Sequence, residues 1–173
     1  VPEGSRVVRD AAEEAIGASG ATGSDNATRA AALAAWFHGN GFVYDESAPG
    51  GFDGGADGAS GGGGASGAAP GSGASRSPTA TVEAFLTERR GYCIHYAAAF
   101  TLMARGLGIP TRIAIGYASQ AVTSGDAPTA VSGRDLHAWP EVWIDDVGWV
   151  AFEPTPGGAG ARADAAPTEE TSA

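Results

Sequence analysis

One cysteine, one histidine and one glutamate follow each other along this chain in an order that suits nucleophilic catalysis. Cys93 is the only cysteine, and His137 and Glu153 come after it. A thiolate can attack a carbonyl carbon when a base handles its proton and an acid orients that base. Spacing alone leaves this triad as one interpretation among several, because these residue types also coincide by chance in many folds.

The residues after Cys93 predict how it is presented. An apolar, alanine-rich run extends to Ala104 and ends near Gly106 and Pro110, which predicts a buried helix with Cys93 in or beside its first turn. Backbone N–H groups at a helix start lack intrahelical partners, and the helix dipole there favours a thiolate. With one cysteine in the chain, an intrachain disulfide or a multi-cysteine metal site cannot explain it.

Apolar residues at helical spacing also occur before this central helix. They predict three further helices, over Arg6 to Ala18, Ala27 to His38 and Thr81 to Glu88. A short extended segment is expected at Phe42 to Tyr44. Ser24 or Asp25 is the expected N-cap of the second helix, and His38 is expected to cap its C-terminus.

After Pro110 the apolar pattern changes from helical to alternating. It predicts three strands, over Thr111 to Ala118, Leu136 to Asp145, and Trp149 to Glu153. A three-residue turn over residues 146–148 pairs Asp145 with Trp149 and sets Glu153 opposite Glu141. His137 and Glu153 then share a face of the sheet, but Glu153 reaches His137 only if a longer loop or a bulge shifts the hairpin.

Length and composition predict a single domain over residues 1–157, with a flexible Gly/Ser-rich insertion at about 46–77 and a disordered tail over 158–173. A net charge of −10 argues against nucleic-acid binding. No apolar run approaches the roughly 20 residues of a membrane-spanning helix. We therefore expect a soluble piece of a longer protein, with no membrane contact of its own.

Several linked motifs between Thr79 and Gly157 resemble the transglutaminase core domain, in order and with similar gaps. They are Gly91-Tyr92-Cys93-x-x-Tyr96-Ala97, Leu107-Gly108-Ile109-Pro110-Thr111-Arg112, Gly116-Tyr117, His137-Ala138-Trp139-x-Glu141-Val142, and Gly148-Trp149-Val150-x-Phe152-Glu153-Pro154-Thr155-Pro156. The similarity is closest to the bacterial branch in which an extracytoplasmic core domain belongs to a membrane-anchored parent protein. That location is what the resemblance implies for this chain.

The resemblance implies an α+β, papain-like cysteine-enzyme fold, with the helix of the catalytic cysteine packed on an antiparallel β-sheet. It makes Cys93 the nucleophile and His137 the general base. Glu153 stands where the family usually has aspartate, so its longer side chain changes the reach to His137. No cofactor is implied, and no cluster has metal-ligand spacing.

The reaction that the resemblance implies is acyl transfer from a glutamine side chain of a peptide or protein, through a thioester, to an amine or to water. A cysteine peptidase or amidase with the same triad is the first alternative. An arylamine-type acetyltransferase uses a similar triad but lacks the block from Gly148 to Pro156. A non-catalytic extracytoplasmic interaction module is the alternative of another class.

Three aromatic residues are candidates for substrate contact, namely Tyr92, Trp139 and Trp149. Aromatic side chains of this kind more often line the core or a cleft than bind substrate. Glu141 is the second acid near His137 in sequence, and we expect it to be a structural hydrogen-bond partner rather than the third member of the triad.

Overall fold

The structure is a computed structural model that describes residues 5–48, 77–117 and 135–157. Most of the Gly/Ser-rich insertion, the connection over residues 118–134 and the tail beyond residue 157 lie outside the described residues. The predictions made for these segments therefore stay predictions.

Four helices lie in the described ranges: α1 (Arg6–Ser19), α2 (Asn26–Gly39), α3 (Pro78–Glu88) and α4 (Cys93–Gly106). Side chains cap the first three at their N-termini, because Ser, Asp and Thr oxygens accept the backbone N–H groups that the first turn leaves without partners. The caps are Ser5, Asp25 and Ser77, which accept from Val8, Thr28 and Ala80. The helix α3 begins three residues earlier than predicted, since Pro78 suits the first helical position.

Five strands lie in the described ranges: β1 (Val43–Tyr44), β2 (Arg90–Gly91), β3 (Thr111–Tyr117), β4 (Leu136–Ile144) and β5 (Gly148–Ala151). The last three form an antiparallel sheet in the order β3-β4-β5. Helix α4 packs on β3 and β4 and also contacts the other three helices. This confirms the predicted α+β arrangement of the Cys93 helix on an antiparallel sheet.

The parallel pair β1–β2 was not predicted. The Val43 N–H donates to the Arg89 carbonyl and the Asp45 N–H to the Gly91 carbonyl, both at 2.8 Å. Two residues are too few to show an alternating pattern, so only the extended segment at Phe42 to Tyr44 could be foreseen. The pairing places β1 directly beside the start of α4.

The predicted register of the β4–β5 hairpin was wrong. Ile144 pairs with Gly148 and Trp143 with Trp149, so the three-residue loop runs over residues 145–147, one position earlier than expected. Asp146 in this loop has a φ of 66° and Gly148 a φ of 101°. The pairing shifts by two residues, which moves Glu153 towards His137 without a longer loop or a bulge.

Helix α4 lies at the centre of the core, and an aromatic cluster surrounds its first half. Ring centroids within this cluster lie between 4.8 and 6.2 Å apart. Its members are Trp36, Phe37, Phe42, Phe85 and Tyr96. The cluster joins α2, α3 and the segment before β1 to the helix that carries Cys93. Within the described ranges, no helix is long and apolar enough to cross a membrane.

Candidate active site

Cys93 is the first residue of α4, and tight packing fixes the backbone that leads into it. Tyr92 is the N-cap in an extended conformation, and its N–H donates to Nδ1 of the buried His95 at 3.3 Å. A Cβ on Gly91 would lie 2.8 Å from Phe85 Cδ2 and 2.9 Å from His95 Cβ. Only glycine fits at position 91. Gly91 and His95 therefore fix the backbone that leads into Cys93.

His137 on β4 is held by Glu153, which follows β5. His137 Nε2 and Glu153 Oε2 are 2.6 Å apart, and the Thr155 N–H donates to the other carboxylate oxygen at 2.8 Å. A bond of 2.9 Å from the Phe152 N–H to the Pro140 carbonyl extends the hairpin beyond β5. Glu153 therefore lies beside Trp139, diagonally across from His137 on the same face.

The surroundings of His137 favour its protonated ring. A hydrogen bond to the Cys93 side chain, a second one to Glu153, and the charges of both raise the pKa of His137 to about 9, although burial acts in the opposite direction. Because Glu153 occupies Nε2, Nδ1 is the ring nitrogen left to face Cys93. His137 thus interacts with both Cys93 and Glu153.

Glu153 is held as a carboxylate. Burial alone would raise its pKa, but the hydrogen bonds with His137 and with Thr155 outweigh burial, and the pKa of Glu153 lies below its usual range. A buried carboxylate with these partners can fix the orientation of the His137 ring.

His38 has a place in the site that the sequence did not indicate. It was expected to cap α2, but its Nε2 lies 2.9 Å from the backbone carbonyl oxygen of Glu153. The side chain of Asn40 donates to the Trp36 carbonyl of α2 instead, at 2.8 Å. The contact spans most of the chain, so no local pattern could have revealed it.

Cys93 and His137 open into a cleft of about 800 Å³. Its lining residues come from β1 and the segment after it, the start of α4, β3 and β4. They are Tyr44, Glu46, Tyr92, Cys93, Ile94, Ile115, Leu136, His137 and Ala138. Burial, followed by the nearby Cys93 and Glu46, raises the pKa of Tyr44 to about 12, so its phenol remains a hydrogen-bond donor.

The structure separates the three aromatic candidates for substrate contact. Tyr92 lines the cleft. Trp139 stacks on His137 with ring centroids 6.0 Å apart, and it also covers Gly116. Trp149 lies four residues before Glu153, roughly 13 Å along the strand, and does not line this cleft. Of the three, only Tyr92 is among the described residues that line the cleft, and substrate contact by any of them stays a prediction.

Glu141 is occupied elsewhere. It forms an ion pair with Arg112 at 2.6 Å, and the guanidinium of Arg112 lies 4.3 Å from the ring centroid of Trp149. Among the described residues, no group of three or more His, Cys, Asp or Glu side chains could hold a metal ion.

Comparisons with known proteins identify the family to which this chain is similar. A family profile described as the transglutaminase-like superfamily matches residues 68–154. The protein-glutamine gamma-glutamyltransferase of Pseudomonas aeruginosa is 37% identical over 75 residues, which are 43% of this chain and 11% of that protein. An uncharacterized protein of Bacillus subtilis, YebA, is 37% identical over 81 residues, 44% of this chain and 11% of that protein.

A solved structure matches over a longer stretch. The periplasmic domain of TgpA from Pseudomonas aeruginosa superposes with a TM-score of 0.55 and 25% identity, covering 89% of this chain and 43% of that one. The same domain bound to ethylmercury gives a TM-score of 0.56 and 26% identity, covering 90% and 45%. The chain thus spans 11% of each curated relative and less than half of the solved domain.

Proposed function

Because the chain belongs to the transglutaminase-like superfamily, we propose that it is an acyltransferase in which Cys93, His137 and Glu153 act as a catalytic triad. The donor is the side-chain carboxamide of a glutamine in a peptide or protein, and the acceptor is an amine or water. The single observation that carries this proposal is that Cys93 and His137 line the same open cleft, with His137 Nε2 2.6 Å from Glu153 Oε2.

In the first half-reaction the Cys93 sulfur attacks the carboxamide carbon, and a C–S bond forms. His137 passes its ring proton to the nitrogen of the tetrahedral intermediate. The C–N bond then breaks, ammonia leaves and a thioester remains. The raised pKa of His137 means that the proton needed for this step is already on the ring at neutral pH. His137 therefore begins as an acid and becomes the base of the second half.

In the second half-reaction an amine or a water molecule attacks the thioester carbon. The neutral His137 ring takes the proton that the attacking group loses, the C–S bond breaks, and Cys93 and His137 return to their starting states. Glu153 stays ionised throughout and stabilises the imidazolium, as the acid of a Ser-His-Asp triad does. An amine acceptor gives a crosslinked or modified glutamine, and water gives glutamate.

The oxyanion of each tetrahedral intermediate needs hydrogen-bond donors. Helix α4 begins at Cys93, so the Cys93 N–H has no acceptor within the helix and lies at the positive end of the helix dipole. We assign the backbone N–H of Cys93 to this role. Preorganised donors of this kind are worth roughly 10²- to 10³-fold in rate.

We also propose that the domain works outside the cytoplasm, within a larger membrane-anchored protein. The support is the matched solved structure, which is of a periplasmic domain, together with the small share of each curated relative that this chain spans.

The proposal is tested with a blocked peptide that contains one glutamine, by measuring ammonia release and the masses of the products with and without a primary amine. We expect ammonia release from the wild-type domain and at least about a thousandfold loss in Cys93→Ala. The Glu141→Gln variant is the matched control, because its partner is Arg112 rather than His137.

The products separate the alternatives. Amine incorporation indicates the transferase, and glutamate formed in the presence of amine indicates a hydrolase. A cleaved peptide bond indicates a peptidase. A folded wild-type domain that releases no ammonia and cleaves no peptide contradicts the proposal and favours a binding module.

A further inference from the structure

The cleft beside Cys93 has an apolar wall formed by the sheet. Ile115 on β3 pairs with Ala138 on β4, and Leu136 lies two residues before Ala138 on the same face. Ile115 and Leu136 are 67% and 53% exposed, and both line the cleft. Large apolar side chains that are this exposed next to a nucleophile can bury an apolar part of a substrate.

Another part of the cleft lining comes from β1 and the residues after it, and it is polar. Tyr44 and Glu46 both line the cleft, and the Tyr44 hydroxyl lies 3.4 Å from Glu46 Oε1. The hydroxyl is the donor in this contact and orients the carboxylate. Pairing of β1 with β2 fixes this part of the lining beside the start of α4.

Glu46 lines the cleft, and no positively charged side chain among the described residues pairs with it. Asp45 pairs with Arg90 at 2.8 Å and also binds Ser47, while Glu153 pairs with His137. Among the residues that the structure describes, no arginine or histidine forms an ion pair with Glu46. Its negative charge is therefore available to a cation from outside.

We propose that the cleft selects a glutamine that has a bulky apolar residue on one side in its peptide and a lysine or arginine on the other. This inference rests on the function proposed above. The apolar neighbour packs against Ile115 and Leu136, and the basic neighbour pairs with Glu46. An acidic neighbour is repelled by Glu46 and by the net charge of −10.

The test compares blocked glutamine peptides that differ at the flanking positions only. One position carries leucine or serine and the other carries lysine or glutamate, in both orders. The kcat/KM for ammonia release is measured with the wild-type domain, Glu46→Lys and Ile115→Ser. Glu13→Lys is the matched control, because Glu13 is exposed on α1, outside the cleft lining.

We expect the wild type to prefer the lysine peptide over the glutamate peptide by about fivefold at low salt, with the preference fading as salt is added. Glu46→Lys reverses this preference, whereas Glu13→Lys retains it. Ile115→Ser reduces the preference for leucine over serine, which we expect to be about tenfold in the wild type. If Glu46→Lys does not fold, Glu46→Gln replaces it and weakens the preference for the lysine peptide without reversing it.

Equal rates for the lysine and glutamate peptides in the wild type, or an unchanged preference in Glu46→Lys, would overturn the inference while leaving the acyltransferase proposal intact. Release of no ammonia from any peptide would instead contradict the acyltransferase. In that case the same peptides, now carrying a fluorescent label, are bound at equilibrium to Cys93→Ala and to the double variant Cys93→Ala/Glu46→Lys. The inference then requires tighter binding of the lysine peptide by Cys93→Ala and the reverse order by the double variant.

Discussion

At the scale of single residues, His137 is the side chain that interacts with both Cys93 and Glu153. Its ring lies between the Cys93 side chain and the Glu153 carboxylate, and both contacts favour the protonated form. These two contacts, Cys93 first, raise the pKa of His137 to about 9. The sequence predicted all three residues, with His137 as the general base, and the structure places Glu153 2.6 Å from His137; their catalytic roles stay a proposal.

Replacing Cys93 with alanine is expected to lower the pKa of His137, because the hydrogen bond to Cys93 is the largest cause of its elevation. The pKa of the ring is measured by following its proton resonances against pH in the wild type, in Cys93→Ala and in Glu141→Gln as control. An identical His137 titration in the wild type and in Cys93→Ala would contradict the contact between the two side chains.

The second prediction concerns the acid. Glu153→Gln keeps the fold and removes the carboxylate partner of His137, so we expect turnover to fall by roughly 10²- to 10⁴-fold. Glu141→Gln loses only its ion pair with Arg112, and turnover stays within a few-fold. Ammonia release by the purified, folded variants measures both. The opposite ranking would give the third role to Glu141.

At the scale of secondary structure, periodicity predicted all four described helices and the three strands of the sheet. It failed where turn geometry or contacts between distant segments decide. The hairpin register depends on the φ angles of Asp146 and Gly148, and an alternating apolar pattern does not predict these angles. The two-residue pair β1–β2 and the contact between His38 and Glu153 join segments far apart in sequence, so only the folded chain reveals them.

The hairpin that carries Glu153 is expected to be sensitive at Gly148. Its φ of 101° is one that side chains rarely adopt, so Gly148→Ala should reduce the free energy of unfolding by about 1–3 kcal/mol. Gly106→Ala is the matched control. It lies in the last turn of α4 with no atom within 4 Å of an added Cβ, and should be neutral or stabilise by up to about 1 kcal/mol. Urea denaturation measures both.

Equal stability of the wild type and Gly148→Ala would show that this hairpin register is wrong. The conclusion would extend to the site, because the register sets the position of Glu153 relative to His137.

At the scale of the whole molecule, the titration of the pair His137–Glu153 makes stability depend on pH. The pKa of His137 is raised from 6.5 to about 9, so its contribution is complete below 6.5 and is lost as pH rises through about 9. The pKa of Glu153 is lowered from 4.5, so its contribution is complete above that value and is lost as pH falls. Both contributions are therefore complete between about pH 4.5 and pH 6.5, the ordinary pKa values of Glu153 and His137.

We therefore expect the Tm to decline from about pH 6.5 towards pH 9 and above, and His137→Gln to show a weaker decline over the same window. Thermal melts in matched buffers at constant ionic strength measure both curves. The variant retains the other charges of the molecule, so the difference between the curves isolates His137. Parallel curves would contradict the raised pKa.

The cleft is a property of the whole fold, because residues from β1, α4 and the sheet line it together. The sequence marked Tyr92 as a contact candidate, but it gave no signal for Glu46, Ile115 or Leu136. Each of these looks like an ordinary loop or strand residue until the fold brings them around Cys93. Composition alone argued only against nucleic-acid binding.

The central claim is that Cys93 forms a thioester with a glutamine carboxamide, and intact-protein mass spectrometry after rapid acid quench tests it most directly. With a glutamine peptide and no added amine, we predict a wild-type adduct equal to the peptide mass less one ammonia. Fragmentation should place it on Cys93, and hydroxylamine should remove it. Cys93→Ala should show no adduct. An adduct that retains the ammonia, lies on another residue, or forms equally in Cys93→Ala would contradict the account.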